Sequence, residues 1–180
     1  MTTDTHAALL VIDAQESFRQ RRDDWAATAQ KKSGRCWLFS SLNLLRSHAR
    51  TDLGVKDFEF SQNHALFWDK FERAHFFLRD MAACAGEDLD SRLAVSLFEK
   101  YGVVPKEAMP ETEASSNTRP MNARLQTLLR RSALEIRELA ATGATAADVD
   151  AAVEQVMGEV WRILVICLGE PPVTFDWEWR

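Results

Sequence analysis

The sequence predicts a mostly helical chain with short strands near both ends. Three observations carry this reading. From Cys36 onward, apolar residues recur at helical spacing in several stretches, each closed by glycine or proline. Thr145 and Asp148 form a capping-box signature ahead of the last such stretch. Only two runs read as strands. Residues 7–12 are a short apolar run rich in branched side chains that ends at Asp13, and Val173 to Trp179 alternates Val, Phe and Trp with Thr, Asp and Glu.

The elements follow in order. A charged patch from Arg19 to Asp24 separates the first strand from Trp25, and the junction is set there: a leader over 1–22 and a main unit over 23–180. The first helix spans Cys36 to Arg50 and ends at Thr51-Asp52-Leu53-Gly54; its unbroken apolar run predicts that it is the longest-buried helix. Ser61 caps a second helix that reaches Cys84. Its Leu66, Phe67, Phe71, Phe77, Leu78 and Met81 cover more than one stripe, so burial on several sides is expected. A shorter third helix covers Leu89 to Lys100. Residues 102–120, with Gly102, Pro105, Pro110, Pro120 and a Ser/Thr/Asn cluster, read as loop. The fourth helix runs from Met121 to Ala141 with arginines opposite its apolar side. The fifth follows Thr145 to Leu168 and is stopped by Gly169 and Pro171-Pro172.

A chain of 180 residues is the size of one domain, typically ~100–200 residues. A hydrophobic content of 46% supports a globular core, and a net charge of −5 argues against a nucleic-acid partner. The longest apolar candidate, Ile163 to Leu168, is far short of the ~18–20 residues that span a membrane, so no membrane partner is expected. The start, Met1-Thr2-Thr3-Asp4-Thr5-His6, has no basic n-region, so no secretory signal is expected. Three cysteines, Cys36, Cys84 and Cys167, are odd in number and widely spaced. They read as reduced thiols of a cytoplasmic protein, and no pair has zinc-ligand spacing. Neither metal nor cofactor is called for.

Chemistry concentrates in Gln30-Lys31-Lys32-Ser33-Gly34-Arg35-Cys36-Trp37. A thiol attacks as thiolate, and a helix N-terminus favours that anion through free N–H groups and the dipole. Gly34 permits the tight turn into the helix. Arg35 adds a neighbouring cation, which makes Cys36 the most reactive thiol expected, because Cys84 and Cys167 sit at helix ends where the dipole opposes an anion. Gln30 can aim its amide N–H at a developing oxyanion together with a backbone N–H. Trp37 reads as core.

The octet resembles the nucleophile segment of papain-like cysteine peptidases, in the Ser-Gly-Arg-Cys-Trp form of the bleomycin hydrolase and aminopeptidase C branch. Further blocks resemble that branch in the same order: Val55 to Asn63, Phe67 to Ala74, Tyr101 to Lys106, Met109-Pro110-Glu111-Thr112-Glu113 with Ser115 to Arg119, and Leu168 to Pro172 with Thr174 to Trp177. The resemblance covers roughly residues 23–180. It implies the N-terminal helical half of a papain-like (α+β) peptidase, with Cys36 as nucleophile, Gln30 in the oxyanion hole, peptides as substrate and a homo-hexamer enclosing the active sites. Asn63 and Asp69 lie in family-like blocks and read as structural.

Two departures bear on activity. The family's catalytic histidine and asparagine lie in a second half, beyond the position of Arg180. A Gly-Gly-Gln-Trp-type substrate loop, expected between Leu89 and Tyr101, is replaced by Ser91 to Lys100. Of the four histidines, His6 lies in the leader, His48 near the end of the Cys36 helix, and His64 and His75 on the second helix; all read as exposed or partly packed. The expectation is a cysteine-type aminopeptidase chain that is inactive alone. A non-catalytic helical remnant is the alternative. A third reading comes from Leu9 to Arg19, which resembles the first strand of isochorismatase-type cysteine hydrolases, with Asp13 at the position that serves their cysteine.

Overall fold

The computed structural model describes residues 31–55, 58–83 and 93–178, with the side chains of 93–96 left aside. Six helices follow one another: α1 Cys36–Leu53, α2 Gln62–Ala83, α3 Leu93–Tyr101, α4 Glu113–Ser116, α5 Arg119–Ala141 and α6 Ala146–Leu168. The leader strand, the 22/23 junction, Gln30, Asp13, His6 and Cys84 lie outside the described residues.

Helices α2, α5 and α6 pack on one another, α1 and α3 lie against α2, and α4 sits against α5 and α6. The core follows from the periodicity. Val153, Val160, Leu164 and Leu168 of α6 meet Leu66, Phe67 and Leu78 of α2, Met121, Leu125 and Ile136 of α5, and Leu38 and Leu42 of α1 in one apolar cluster. Phe67 packs edge-on to Trp161 at 4.9 Å and to Trp68 at 5.4 Å between ring centroids, which fastens α2 to α6. The start of α2 is buried on every side, from Gln62 to Phe67. The most deeply buried helix is therefore α2, not the Cys36 helix: beyond Leu42, α1 runs half-exposed. No helix of the described residues is long and apolar enough to cross a membrane.

The helix ends mostly obey the local rules. Gly54 takes the left-handed conformation at φ 66° and closes α1 three residues later than expected. Ser61 accepts the His64 N–H at the start of α2 (3.0 Å), and Thr145 and Asp148 form the predicted capping box at the start of α6. α5 begins at Arg119, ahead of the expected Met121, because Pro120 sits in its first turn, where a missing N–H costs nothing.

Two further expectations need correction. The 102–120 loop contains α4, held by a capping box between Thr112 and Ser115. Residues 173–178 are not a strand. Among the described residues the only β pairings are two isolated bridges, Lys32 with Asn117 and Phe60 with Pro105. Alternation marks a surface able to pair, but a strand also needs a neighbouring edge for its backbone groups. Val173 is instead 98% exposed, and Trp177 packs edge-on to Phe58 at 5.3 Å.

Candidate active site at the start of helix α1

Cys36 is the first residue of α1 and is exposed. Arg35 at the N-cap makes no side-chain capping bond, and the first turn holds no acidic residue. The N–H groups and positive dipole end of α1 thus face no competing carboxylate from their own helix, which suits an anion there. Trp37 turns to the core, as its sequence context predicts.

The turn ahead of the cysteine is bound to the segment around α4. The Lys32 N–H donates to the Ser116 carbonyl (3.1 Å), and the Thr118 hydroxyl donates to the Ser33 carbonyl (3.1 Å). Arg35, only 3% exposed, donates from both terminal nitrogens to the two carboxylate oxygens of Glu111, at 2.8 and 2.7 Å. Its Nε donates to Ser33 Oγ at 2.8 Å, and its guanidinium lies 4.9 Å from the Phe39 ring centroid. Ser115 Oγ completes the group by donating to Glu111 at 2.7 Å. Burial pushes the Glu111 carboxyl up, but the hydrogen bonds from Arg35 and Ser115 and the charges of Arg35 and Lys106 outweigh it and hold the group below its ordinary value. This revises the role expected for Arg35. Its charge is engaged by Glu111 inside the fold and is not a free cation beside the thiol.

None of the described histidines stands as a base beside Cys36. His64 is buried, not partly packed as expected, and its Nε2 accepts from Trp68 Nε1 at 3.2 Å. Burial lowers its pKa to about 4, so it is neutral at pH 7. His75 Nε2 accepts from Arg79 Nε at 3.4 Å. His48 is exposed on α1, roughly 18 Å along the helix axis from Cys36 at 1.5 Å per residue. Asn63 works as a tie: its Nδ2 donates to the carbonyls of Pro110 (2.8 Å) and Leu168 (2.7 Å), joining the start of α2 to the loop and the end of α6. Asp69 is buried and accepts from Arg73 Nε at 2.7 Å. Burial raises the pKa of the Cys167 thiol, the other described cysteine.

The His64 environment has a pH consequence. In the unfolded chain the imidazole titrates near pH 6.5, and in the fold at about 4. Between these values the unfolded state binds more protons, so stability rises with pH across that window and is lost as pH falls from about 6.5 towards 4. The full difference is on the order of 3 kcal/mol at 1.36 kcal/mol per pKa unit. Urea unfolding at pH 7 and pH 4.5 should show a loss that shrinks in His64→Gln. An equal loss in the variant would assign it to other groups.

Comparison with known proteins places these residues in context. The profile of the Peptidase C1-like family matches residues 5–94 and 92–180. An aminopeptidase C of Streptococcus thermophilus is 42% identical over 168 residues, covering 84% of this chain and 38% of that protein. A bleomycin hydrolase of Oryctolagus cuniculus is 40% identical over 172 residues, covering 85% of this chain and 62% of that one. Among solved structures, PepW from Lactobacillus rhamnosis HN001 superposes with a TM-score of 0.81 at 40% identity, over 88% of this chain and 39% of its own. The chain thus spans less than two thirds of the length of each of these proteins.

Proposed function

This chain belongs to the Peptidase C1-like family, and we propose that it is the nucleophile-bearing half of a cysteine-type aminopeptidase, inactive as a single chain. The observation that supports this most is the exposed Cys36 at the open N-terminus of α1, on a turn anchored from behind by Arg35. The Peptidase C1-like family supports peptides as the substrate class, and the name of the aminopeptidase C relative supports cleavage at the amino end.

In that chemistry Cys36 Sγ adds to the carbonyl carbon of the peptide bond. The carbonyl oxygen takes the charge, and the Cys36 backbone N–H with the Gln30 amide would stabilise it. Collapse to the thioester expels the amine once it gains a proton, and water then releases the acyl group. Among the described residues no histidine is placed to move that proton. His64 is buried against Trp68, His75 faces Arg79, and His48 is remote. General acid–base help contributes ~10²–10⁴-fold, and a thiol without it at neutral pH turns over little.

The test is fluorophore release from an aminoacyl amide by the purified chain, with Cys36→Ala as control. No turnover above the control is expected. Turnover that disappears in Cys36→Ala would contradict the inactive half-site and mean that a base reaches Cys36 after all.

A further inference from the structure

Arg35 and Cys36 are adjacent in sequence and opposite in exposure. The arginine is 3% exposed, while the cysteine stands in solvent. The turn that precedes them is not a relaxed one. Lys31 sits at φ 52°, a left-handed conformation that lysine rarely adopts, and Gly34 follows at φ 61°. Such a conformation persists only where the surroundings over-determine it. Among the described residues the surroundings are one segment, residues 111–118. From it Glu111 takes both arms of Arg35, Ser116 accepts from the Lys32 N–H and from Lys31 Nζ, and Thr118 holds the Ser33 carbonyl. Glu111 is in turn fixed by Ser115, whose own N–H is held in the capping box of α4. The N-terminus of α1 has no side-chain cap of its own to do this work.

We propose that Glu111, acting through Arg35, is a positioning residue for Cys36: the segment around α4 holds the turn that sets the thiol at the first turn of α1. The proposal rests on Cys36 being the nucleophile. Glu111 touches no reacting atom. A bidentate carboxylate–guanidinium pair fixes direction as well as distance, which an apolar contact of equal size does not. The segment therefore transmits its own placement to the thiol, and displacing it would move Cys36 relative to the helix dipole and to any oxyanion donors.

The experiment measures the pH dependence of Cys36 alkylation by iodoacetamide in the whole chain, by peptide mass spectrometry, with Cys167 as internal reference. The main variant is the double replacement Arg35→Met with Glu111→Leu. It fills the same space with apolar atoms, a change that commonly preserves a fold when both members of a buried pair are replaced. It also leaves net charge unaltered, and Thr118→Val, which touches no charged group, is measured beside it to separate position from the local field. The expected result is a Cys36 rate severalfold lower at pH 7 with an altered pH profile, an unchanged Cys167 rate and retained helical circular dichroism. Thr118→Val, which removes the bond to Ser33 and the longer one that Thr118 Oγ1 accepts from Asn122 Nδ2 (3.4 Å), is expected to slow Cys36 in the same direction by a smaller factor and serves if the double variant fails to fold. Wild-type rate and midpoint in whichever variant folds would overturn the proposal and leave the pair purely structural. A wild-type Cys36 no faster than Cys167 would overturn the nucleophile reading, and this inference with it.

Discussion

Arg35→Ala is expected to lower the unfolding free energy by about 3 kcal/mol, the lower part of the range for removing one member of a buried ion pair. The lower part applies because Glu111 is 23% exposed and can recover some hydration. The loss has two sources: Glu111 keeps its charge without its partner, and the turn at 31–35 loses its anchor. The pH dependence separates them. Because the Glu111 carboxyl is held below its ordinary value, the stability it contributes is present above its unfolded pKa and is lost as pH falls through the folded one. The penalty of Arg35→Ala should therefore be full at pH 7 and shrink below about pH 4.5, where an unpaired carboxyl becomes neutral. Urea denaturation at both pH values measures it. A difference under 1 kcal/mol at pH 7 would mean that the pair is a passive contact.

Phe67→Ala is expected to cost about 3–5 kcal/mol, the range for deleting a fully buried aromatic. Phe67 is 0% exposed and joins α2 to α6 through Trp161, so relaxation around the cavity would have to shift two helices that also pack on α5. Against a total stability of 5–15 kcal/mol, such a loss is a large share and should be visible as a lowered thermal midpoint with weakened cooperativity. The matched control is Phe175→Ala, at 44% exposure in the tail, which should stay within about 0.5 kcal/mol. Comparable losses at the two positions would contradict the assigned core.

The helices were largely legible in the sequence because their signals are local. Gly54, Gly169, Ser61 and the Thr145–Asp148 box mark ends by chemistry that acts within four residues, and the structure uses each of them. What escaped depends on distant partners. The tail at 173–178 has the alternation of a strand but, among the described residues, no neighbouring edge, and an edge is not written in the tail itself. Helix α4 is only four residues long, too short for periodicity, and its one signal was a Thr112–Ser115 capping pair among loop-forming residues.

The candidate site divides in the same way. That Cys36 opens a helix follows from Gly34 and the apolar run behind it. What Arg35 does does not follow, because a charge next to a cysteine invites a local reading while its true partner, Glu111, lies 76 positions away. Glu111, Ser115 and Thr118 were visible as loop residues within a family-like block, with nothing in the sequence to tie them to Arg35. His64 reads as exposed or partly packed because that is where a histidine usually lies. A signal was available, however: Ser61 caps the helix three residues earlier, and Trp68 follows one turn later on the same face.

The most direct test of the account is the order in which the native thiols react. Iodoacetamide at neutral pH, followed by peptide mass spectrometry, reads each cysteine separately. Cys36 is exposed at the open N-terminus of α1, whereas Cys167 lies at the C-terminal end of α6 with its thiol pKa raised by burial. Labelling of Cys36 ahead of the other two is the predicted result. Equal labelling of all three, or Cys167 first, would contradict the reading of Cys36 as a poised nucleophile.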